Sequence, residues 1–296
     1  RIRAQSYLQP HYSDLFARDH LPIDVIISPE IEVGETVLRR LSLPGAVETV
    51  MFADGSVFVV GILCTEDCPV IDTPLRQLTE LFPDLGAVVT GVFRNGRLFV
   101  PQSDDTIVVG DLVYVVAKLD QVRRTLGIFG HDEPEAKRVV IAGGGHIGAY
   151  VARELERRKP NVRVKIIEQS RQRAVEIADE LRRTVILHGS SLDQDILLEA
   201  DIKDADVLVA VTNDDQANII AGVMAKTLGC KRNLSLINNA SYPAFAHALG
   251  IDAYVNPRAV TISRVLRHVR RGRIRSVHSL QNGAAEVIEA EALETS

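Results

Sequence analysis

An apolar run, a glycine-rich loop and an amphipathic helix follow one another between Val139 and Arg158, in "VVIAGGGHIGAYVARELERR". Three glycines in this loop, Gly143, Gly145 and Gly148, have the spacing G-x-G-x-x-G. In a dinucleotide-binding fold the first glycine permits a tight turn, the second lets the backbone approach a pyrophosphate, and the third lets the helix pack on the strand. The pyrophosphate then meets free N–H groups at the helix N-terminus. The stretch therefore predicts a strand–loop–helix unit that binds a nucleotide.

From Lys137 onward, apolar strands alternate with helical patterns. The five predicted strands are Val139–Ala142, Val162–Ile167, Thr184–Leu187, Val207–Val211 and Leu234–Ile237. This alternation is typical of a parallel sheet with helices on both faces. The sequence therefore predicts a Rossmann-like, doubly wound α/β fold in this part of the chain.

An acidic residue, Glu168, ends the second predicted strand about twenty residues after Gly148. A carboxylate at this position accepts hydrogen bonds from ribose hydroxyls and repels a 2′-phosphate. NAD(H) or an adenine nucleotide is therefore favoured over NADP, a preference that the nearby Arg171 and Arg173 weaken. The alternative interpretation, a Rossmann fold whose site is empty or decayed, stays open.

Two later stretches, "HGSS" from His188 and "TNDD" from Thr212, follow predicted strands at the edge where such folds bind ligands. Thr212 and Asn213 are predicted to reach the adenosine or the phosphates. Asp214 and Asp215 have a second interpretation as caps of the following helix, which we favour for at least one of them.

The chain also resembles itself at a constant spacing of 228 residues. The stretch "PIDVIISPEIEVGETVLRRL" aligns with "GIDAYVNPRAVTISRVLRHV", with Pro29 on Pro257 and Leu38 on Leu266. A period of this length indicates two copies of a whole module rather than a solenoid. We therefore interpret the chain, which does not begin with Met, as a fragment that starts inside one copy and ends inside the next.

A small α+β sandwich is predicted between about residues 45 and 127. Asp54-Gly55 and Asn95-Gly96 are expected at the turns of two hairpins, and "GDLVYVVA" forms a final strand. Thr73 is a candidate N-cap, with Pro74 at the first helical position. This region shows no catalytic constellation.

Charge and cysteine content narrow the functional classes. The formal net charge is -5 with both signs mixed along the chain, which does not favour nucleic-acid binding. No apolar run approaches the ~20 residues of a membrane span, and the N-terminus lacks the apolar core of a signal peptide. The three cysteines suggest a reducing compartment, and Cys64 and Cys68 lack further ligands at zinc-site spacing.

The sequence also bears on catalysis. A dehydrogenase needs a proton-transfer group beside its cofactor, but Tyr150 is followed by Glu154 where a Tyr-x-x-x-Lys motif has lysine. No Walker-type G-K-[ST] stretch is present either. We therefore predict no catalytic turnover, and we expect His146 and His188 to lie near the ligand without a catalytic role. A duplicated nucleotide fold is typical of a sensor that biases an assembly between states.

Several stretches together resemble the TrkA-type regulators of bacterial potassium uptake, which are built from tandem RCK (or KTN) units. These stretches are "VVIAGGGHIG" with Glu168, "AVTNDDQANIIAGVMAKTLGCKR", "GIDAYVNPRAVTISRVLRHVRRG" and "RNGRLFVPQSDDTIVVGD". Where the family commonly carries Gly-Asp after the third strand, this sequence has Gly189-Ser190, so Ser190 is left as a hydrogen-bond partner only. The predicted nucleotide-binding residues are Gly143, Gly145, His146, Ile147, Gly148, Glu168, Ser190, Thr212 and Asn213.

The resemblance implies an organisation for the whole chain. Residues 1–42 are the tail of a first Rossmann-like (RCK N) domain and its crossover helix, and 43–133 are the first RCK C-terminal subdomain. Residues 134–272 are the second Rossmann-like domain with its crossover helix, and 273–296 begin the second C-terminal subdomain. The repeat implies one nucleotide site per chain, because the first copy's glycine loop would precede Arg1.

The resemblance also implies a function. The chain would be a cytoplasmic regulatory subunit, at the inner face of the membrane, that senses NAD(H) or ATP/ADP and gates a potassium transporter of the TrkH/KtrB type as a homo-oligomer, from dimer to tetramer. The alternative is a soluble NAD-dependent oxidoreductase. The basic run from Arg264 to Arg275 has three open interpretations: a solvated helix face, a subunit contact, or a phospholipid-facing patch.

Overall fold

The computed structural model describes residues 27–239, 241–246, 248–269, 274–280 and 283–290. The helices are α1 (Pro29–Ser42), α2 (Leu75–Leu81), α3 (Val122–Ile128), α4 (His146–Arg158), α5 (Arg171–Glu180), α6 (Gln194–Glu199), α7 (Asp215–Thr227), α8 (Pro243–Ala246) and α9 (Pro257–Val269). The strands are β1 (Ala46–Phe52), β2 (Val57–Leu63), β3 (Ala87–Arg94), β4 (Arg97–Phe99), β5 (Leu112–Lys118), β6 (Arg138–Ala142), β7 (Arg163–Glu168), β8 (Val185–His188), β9 (Val207–Ala210), β10 (Asn233–Leu236), β11 (Ala253–Val255), β12 (Ile274–Leu280) and β13 (Ala285–Ala290).

These elements form two compact units. Among the described residues, one unit comprises those up to Leu38 together with Ala136–Val269, and the other comprises Arg39–Glu135 together with the residues after Val269. Within the described part of the chain, no helix is long and apolar enough to cross a membrane.

A six-stranded parallel sheet forms the centre of the first unit. Its strand order is β11-β10-β9-β6-β7-β8, and all five pairings are parallel. The doubly wound fold is therefore confirmed, and the five predicted strands lie within one residue of the observed ones. Strand β9 is buried along its whole length, as expected for a strand with helices on both faces. The short edge strand β11 was not predicted.

Five antiparallel strands form the sheet of the second unit, in the order β1-β2-β5-β3-β4. Both predicted hairpins are present, and the predicted final strand lies in the centre of the sheet. The predicted start of α2 is wrong by one residue. Pro74 has an extended ψ of 139° and precedes the first helical residue, and the Thr73 hydroxyl donates to the Ile71 carbonyl instead of capping the helix.

The small sheet is covered on both faces. On one face Phe58, Val60 and Ile62 pack with residues of α3 in a buried core. On the other face Val50 and Val59 pack with side chains of the β12–β13 hairpin, which are Leu280, Ala285 and Val287. This second layer comes from β12 and β13, which lie outside the range of about residues 45–127 in which the sandwich was predicted.

Elements of the same type recur 228 residues apart. Pro257 begins α9 and Pro29 begins α1, while β12 and β13 repeat the antiparallel pairing of β1 and β2. The recurrence agrees with the duplication, which stays a prediction, as do the four domain boundaries. The segment of the first copy before residue 27 lies outside the described residues.

Candidate nucleotide-binding site

The glycine loop joins β6 to α4, and two of its glycines are required by close packing. Gly143 has φ +106°, and a Cβ there would lie 3.1 Å from the Thr212 nitrogen. A Cβ on Gly148 would lie 2.0 Å from the Gly143 carbonyl oxygen, a separation no side chain tolerates. The first and third glycines therefore have the structural roles that the spacing predicts.

The N-terminus of α4 is open to a ligand. Gly145 is the N-cap of α4 and offers no side-chain acceptor to the first turn. A Cβ built on Gly145 meets no atom of the described residues within 4 Å. Since the first N–H groups of a helix have no intrahelical partner, this end of α4 attracts an anion. This end of the helix therefore has the chemistry that suits the phosphate group of a nucleotide.

Glu168 holds the loop from the end of the neighbouring strand. Its Oε2 accepts a hydrogen bond from the Gly144 N–H at 2.7 Å, and its Oε1 accepts one from the Ser170 N–H at 2.7 Å. A carboxylate has about four acceptor sites, so both oxygens retain capacity for ribose hydroxyls. The predicted ribose acid thus also positions the backbone of the loop.

The motif G-x-G-x-x-G allows any residue at the position of Gly144. In the structure it is buried, and a Cβ there would lie 2.5 Å from Ile177 Cδ1. Its carbonyl accepts a hydrogen bond from Arg173 Nε at 2.9 Å. The run of three glycines was the only available signal for this constraint, because Ile177 and Arg173 belong to the next helix.

The side chain of Asn218 holds the loop after β9 through hydrogen bonds. This residue was not predicted from the sequence. This side chain is fully buried. Its Oδ1 accepts from the Thr212 N–H at 2.9 Å and from the Thr212 hydroxyl at 2.7 Å, and its Nδ2 donates to the carbonyls of Thr212 and Leu236. Thr212 is therefore bound within the protein as well as placed beside Gly143.

The two aspartates after Asn213 have different roles. Asp214 Oδ1 accepts from the N–H groups of Gln216 and Ala217, which makes Asp214 the N-cap of α7. This confirms the capping interpretation for one of the pair. Asp215 instead binds the loop after β10, since it accepts from the N–H groups of Asn238 and Asn239.

The remaining predicted residues are distributed along the same edge of the sheet. His146 is exposed at the start of α4, Ile147 is half-buried, and Asn213 is exposed. The Ser190 hydroxyl accepts from the Leu192 N–H at 3.2 Å in a local turn. His188 is paired in register with Glu168. The ligand contacts of these residues stay predictions.

The sheet order explains why the loops meet. Strands β6 and β9 are neighbours, and the chain leaves them toward opposite sides of the sheet, to β7 and to β10. In open parallel sheets, ligands bind in the crevice at such a switch point, beyond the carboxyl ends of the strands. Gly143, Glu168 and Thr212 all lie at this edge. Among the described residues, no group of three or more His, Cys, Asp or Glu side chains could hold a metal ion.

Two family models match the chain: a TrkA-N domain over residues 139–257 and a TrkA-C domain over residues 59–130. A "Trk system potassium uptake protein TrkA" of Azorhizobium caulinodans is 61% identical over 296 residues, covering 100% of this chain and 65% of that protein. A protein of the same description from Halomonas elongata is 38% identical, covering 98% of this chain and 62% of its own length. Homolog 1 of Methanosarcina mazei is 30% identical, covering 97% and 70%.

Solved structures show the same fold at low identity. The RCK domain of GsuK matches with a TM-score of 0.57 and 21% identity, covering 87% of this chain and 54% of that one. A "GsuK channel bound to NAD" matches with a TM-score of 0.56 and 19% identity, covering 88% and 45%. The chain spans less than two thirds of the length of the Azorhizobium and Halomonas relatives.

Proposed function

The chain belongs to the TrkA family of potassium-uptake proteins, and on this premise we propose that it is a nucleotide-binding regulatory subunit that gates a membrane potassium transporter. The observation that carries the proposal is the open N-terminus of α4 at the switch point of the parallel sheet, with Glu168 beside it. That arrangement suits a phosphate group joined to a ribose.

The favoured ligand is NAD(H), with ATP or ADP as the alternative effector. Glu168 supports an unmodified ribose, since a second negative charge on a 2′-phosphate would lie against its carboxylate. A GsuK channel with the same fold is described as bound to NAD. The predicted contacts are those of the glycine loop, His146, Ile147, Glu168, Ser190, Thr212 and Asn213.

Binding without turnover is the second part of the proposal. Tyr150, the tyrosine of α4, donates its hydroxyl hydrogen to Glu35 at 2.6 Å. Burial, and then that hydrogen bond to Glu35, raise the pKa of the Tyr150 phenol above its ordinary value. A phenol held this way is a poor proton-transfer group at neutral pH, which favours the regulator over an oxidoreductase.

The proposed partner is an integral membrane potassium transporter of the TrkH/KtrB type. The subunit would act in the cytoplasm, at the inner face of the membrane, as a homo-oligomer. We also propose that the module is duplicated and that this chain binds one nucleotide, around Gly143, Gly145, Gly148 and Glu168. For the basic run, the structure records an ion pair of Arg264 with Glu32 at 3.0 Å, which accounts for one of its charges.

Calorimetric titration of the 296-residue chain with NADH, NAD⁺, ATP and ADP tests the binding proposal. We expect one site per chain and no site in the Gly145→Asp variant, whose carboxylate would occupy the open end of α4. Two equivalent sites would contradict the single-site proposal. Sustained NADH oxidation or ATP hydrolysis that Gly145→Asp abolishes would favour an enzyme instead. Co-purification with a membrane potassium transporter tests the partner.

A further inference from the structure

We propose that Arg173 is a positioning residue that aims the Gly145 N–H into the nucleotide crevice, and that its own fixation by two glutamates makes the site select dinucleotides without a 2′-phosphate. The inference rests on the proposed nucleotide binding. It assigns to Arg173 a role opposite to that of a phosphate clamp, which the position of this arginine after the ribose acid would otherwise suggest.

Arg173 sets the direction of one peptide group in the glycine loop. Arg173 Nε donates to the Gly144 carbonyl oxygen at 2.9 Å, on the side of the loop that faces α5. The peptide bond between Gly144 and Gly145 is trans. In a planar trans peptide the C=O and the following N–H point in opposite directions. Holding the Gly144 carbonyl toward Arg173 therefore turns the Gly145 N–H away from α5.

The backbone N–H of Gly144 is fixed as well. Its N–H donates to Glu168 Oε2 at 2.7 Å. Both polar groups of this one glycine are thus fixed by side chains, and glycine is otherwise the residue with the greatest backbone freedom. Freezing this freedom before the ligand arrives lowers the entropy cost of binding.

The guanidinium of Arg173 is itself held by two glutamates of α5. Arg173 Nη1 lies 3.1 Å from Glu176 Oε2 and 3.7 Å from Glu180 Oε1. Glu180 is also paired through its Oε2 with Arg153 on α4 at 2.6 Å. The positive charge of Arg173 is therefore shared with two carboxylates. A 2′-phosphate beside Glu168 would therefore gain little from Arg173, because Glu176 and Glu180 already neutralise its charge.

Arg171 provides a matched comparison on the same helix. It is a second arginine, two residues away, exposed at the start of α5, and no ion pair is recorded for it within the described part of the chain. A general effect of positive charge near the site would involve both arginines. A positioning effect belongs to Arg173 alone.

The experiment is calorimetric titration of wild type, Arg173→Ala, Arg173→Lys and Arg171→Ala with NADH and with NADPH. We expect Arg173→Ala to weaken NADH about tenfold, as the loss of one charge-assisted hydrogen bond implies. Arg173→Lys should remain weakened, because an ammonium lacks the planar fork that reaches the carbonyl and both glutamates. Arg171→Ala should stay within about twofold of wild type.

A double variant, Glu176→Gln with Glu180→Gln, tests the selectivity and keeps Arg173 in place. Freed from its carboxylates, the guanidinium should raise the affinity for NADPH relative to NADH by about tenfold. Circular dichroism melting of each variant checks that the fold is retained.

The outcomes separate the alternatives. If wild type binds neither dinucleotide, the proposed function fails and the inference falls with it. If wild type binds NADH and Arg173→Ala equals Arg171→Ala, only the inference is overturned. A loss of NADPH binding in Arg173→Ala with unchanged NADH binding would also overturn it, because Arg173 would then be a phosphate clamp.

Discussion

The two sheets of this chain place their connecting loops in opposite ways. In the parallel sheet every strand ends at the same edge, so Gly143, Glu168 and Thr212 come from three different strands and still lie together. In the antiparallel sheet, consecutive strands end at opposite edges, and the turn between β1 and β2 lies at the other edge from the turn between β3 and β4. The parallel arrangement therefore assembles polar groups into a site, whereas the antiparallel one mainly encloses a core.

Glycines in the loops of the two sheets are required for different reasons. Gly96, in the turn between β3 and β4, has φ +79°, and no atom in the described part of the chain lies within 4 Å of its Cβ position. Gly148 lies inside a helix, and its Cβ position is blocked by the Gly143 carbonyl. Gly96 is required because its own backbone has a positive φ. Gly148 is required because a side chain there would meet the carbonyl of Gly143.

The largest expected effect comes from Gly148→Ala. Because the new methyl group would overlap the Gly143 carbonyl, α4 must shift away from β6, which we expect to cost about 3 kcal/mol of stability and about a hundredfold in NADH affinity. Urea unfolding and calorimetry measure the two effects. Gly96→Ala is the control: it should cost about 1 kcal/mol and leave NADH affinity unchanged. Equal effects of both changes on affinity would remove the distinction between the sheets.

The buried polar groups give the second test. Asn218→Leu leaves the polar backbone groups of Thr212 and the Leu236 carbonyl without partners, at an expected cost of about 3 kcal/mol. Because Thr212 adjoins Gly143, NADH binding should weaken as well. Asp111 is the counterpart in the small unit, fully buried and bound to Arg94 at 2.6 Å.

Asp111→Asn should lower the free energy of unfolding by about 2 kcal/mol without changing NADH affinity. Titration of both variants under conditions where each is folded separates structural from functional effects. A loss of NADH affinity in Asp111→Asn would contradict the view that the small unit holds no part of the site.

A smaller effect is expected from Glu168→Ala. Loss of the ribose acid should weaken NADH and ATP by about tenfold each, since both carry the same adenosine ribose. Asp179→Asn removes a negative charge from the exposed face of α5 and is the matched control, expected to change neither affinity. Unchanged calorimetric affinity for both nucleotides in Glu168→Ala would show that this acid is not the ribose partner.

The smallest effect concerns pH. Burial acts to raise the pKa of Asp206, but hydrogen bonds from Lys231 and from the N–H groups of Lys137 and Arg138 outweigh it and lower the pKa to about 2. A lowered pKa contributes stability above the unfolded value of about 3.8 that is lost as the pH falls toward 2. Asp206→Asn should therefore be about 1 kcal/mol less stable than wild type at pH 7 and equal to it near pH 2.

The pKa of Glu48, in the small unit, is shifted in the opposite direction from that of Asp206. Burial raises its pKa, while a hydrogen bond from Tyr114 and the charge of Arg40 oppose that effect. A raised carboxyl pKa makes the folded state less stable as the pH rises from the unfolded value through the folded one. Glu48→Gln should thus lose this decline, and urea unfolding between pH 4 and pH 8 measures it. Parallel curves for Asp206→Asn and Glu48→Gln would contradict the assignment of opposite shifts.

Local pattern sufficed for much of the fold. Mainly apolar stretches of four to six residues predicted five of the six strands of the parallel sheet, and the Asp-Gly and Asn-Gly pairs predicted both hairpins of the small sheet. Strand β11 was not predicted because three residues are too few to show the alternation of apolar and polar side chains that marks a strand. The predicted start of α2 was one residue early because Pro74 is held extended by a bridge to Thr106, a contact from a distant part of the chain.

For the candidate site, the sequence by itself determined the residues whose signal is a spacing along the chain: the glycine loop and Glu168. Only the tertiary structure decided that Asn218 holds the Thr212 loop and that Arg173 holds the Gly144 carbonyl. It also decided that Asp214 caps α7 whereas Asp215 binds the loop after β10. The physical reason is the range of the interactions. A turn or a helix start is set by neighbouring residues, whereas a side-chain hydrogen bond to a distant carbonyl exists only after the strands have been ordered in the sheet.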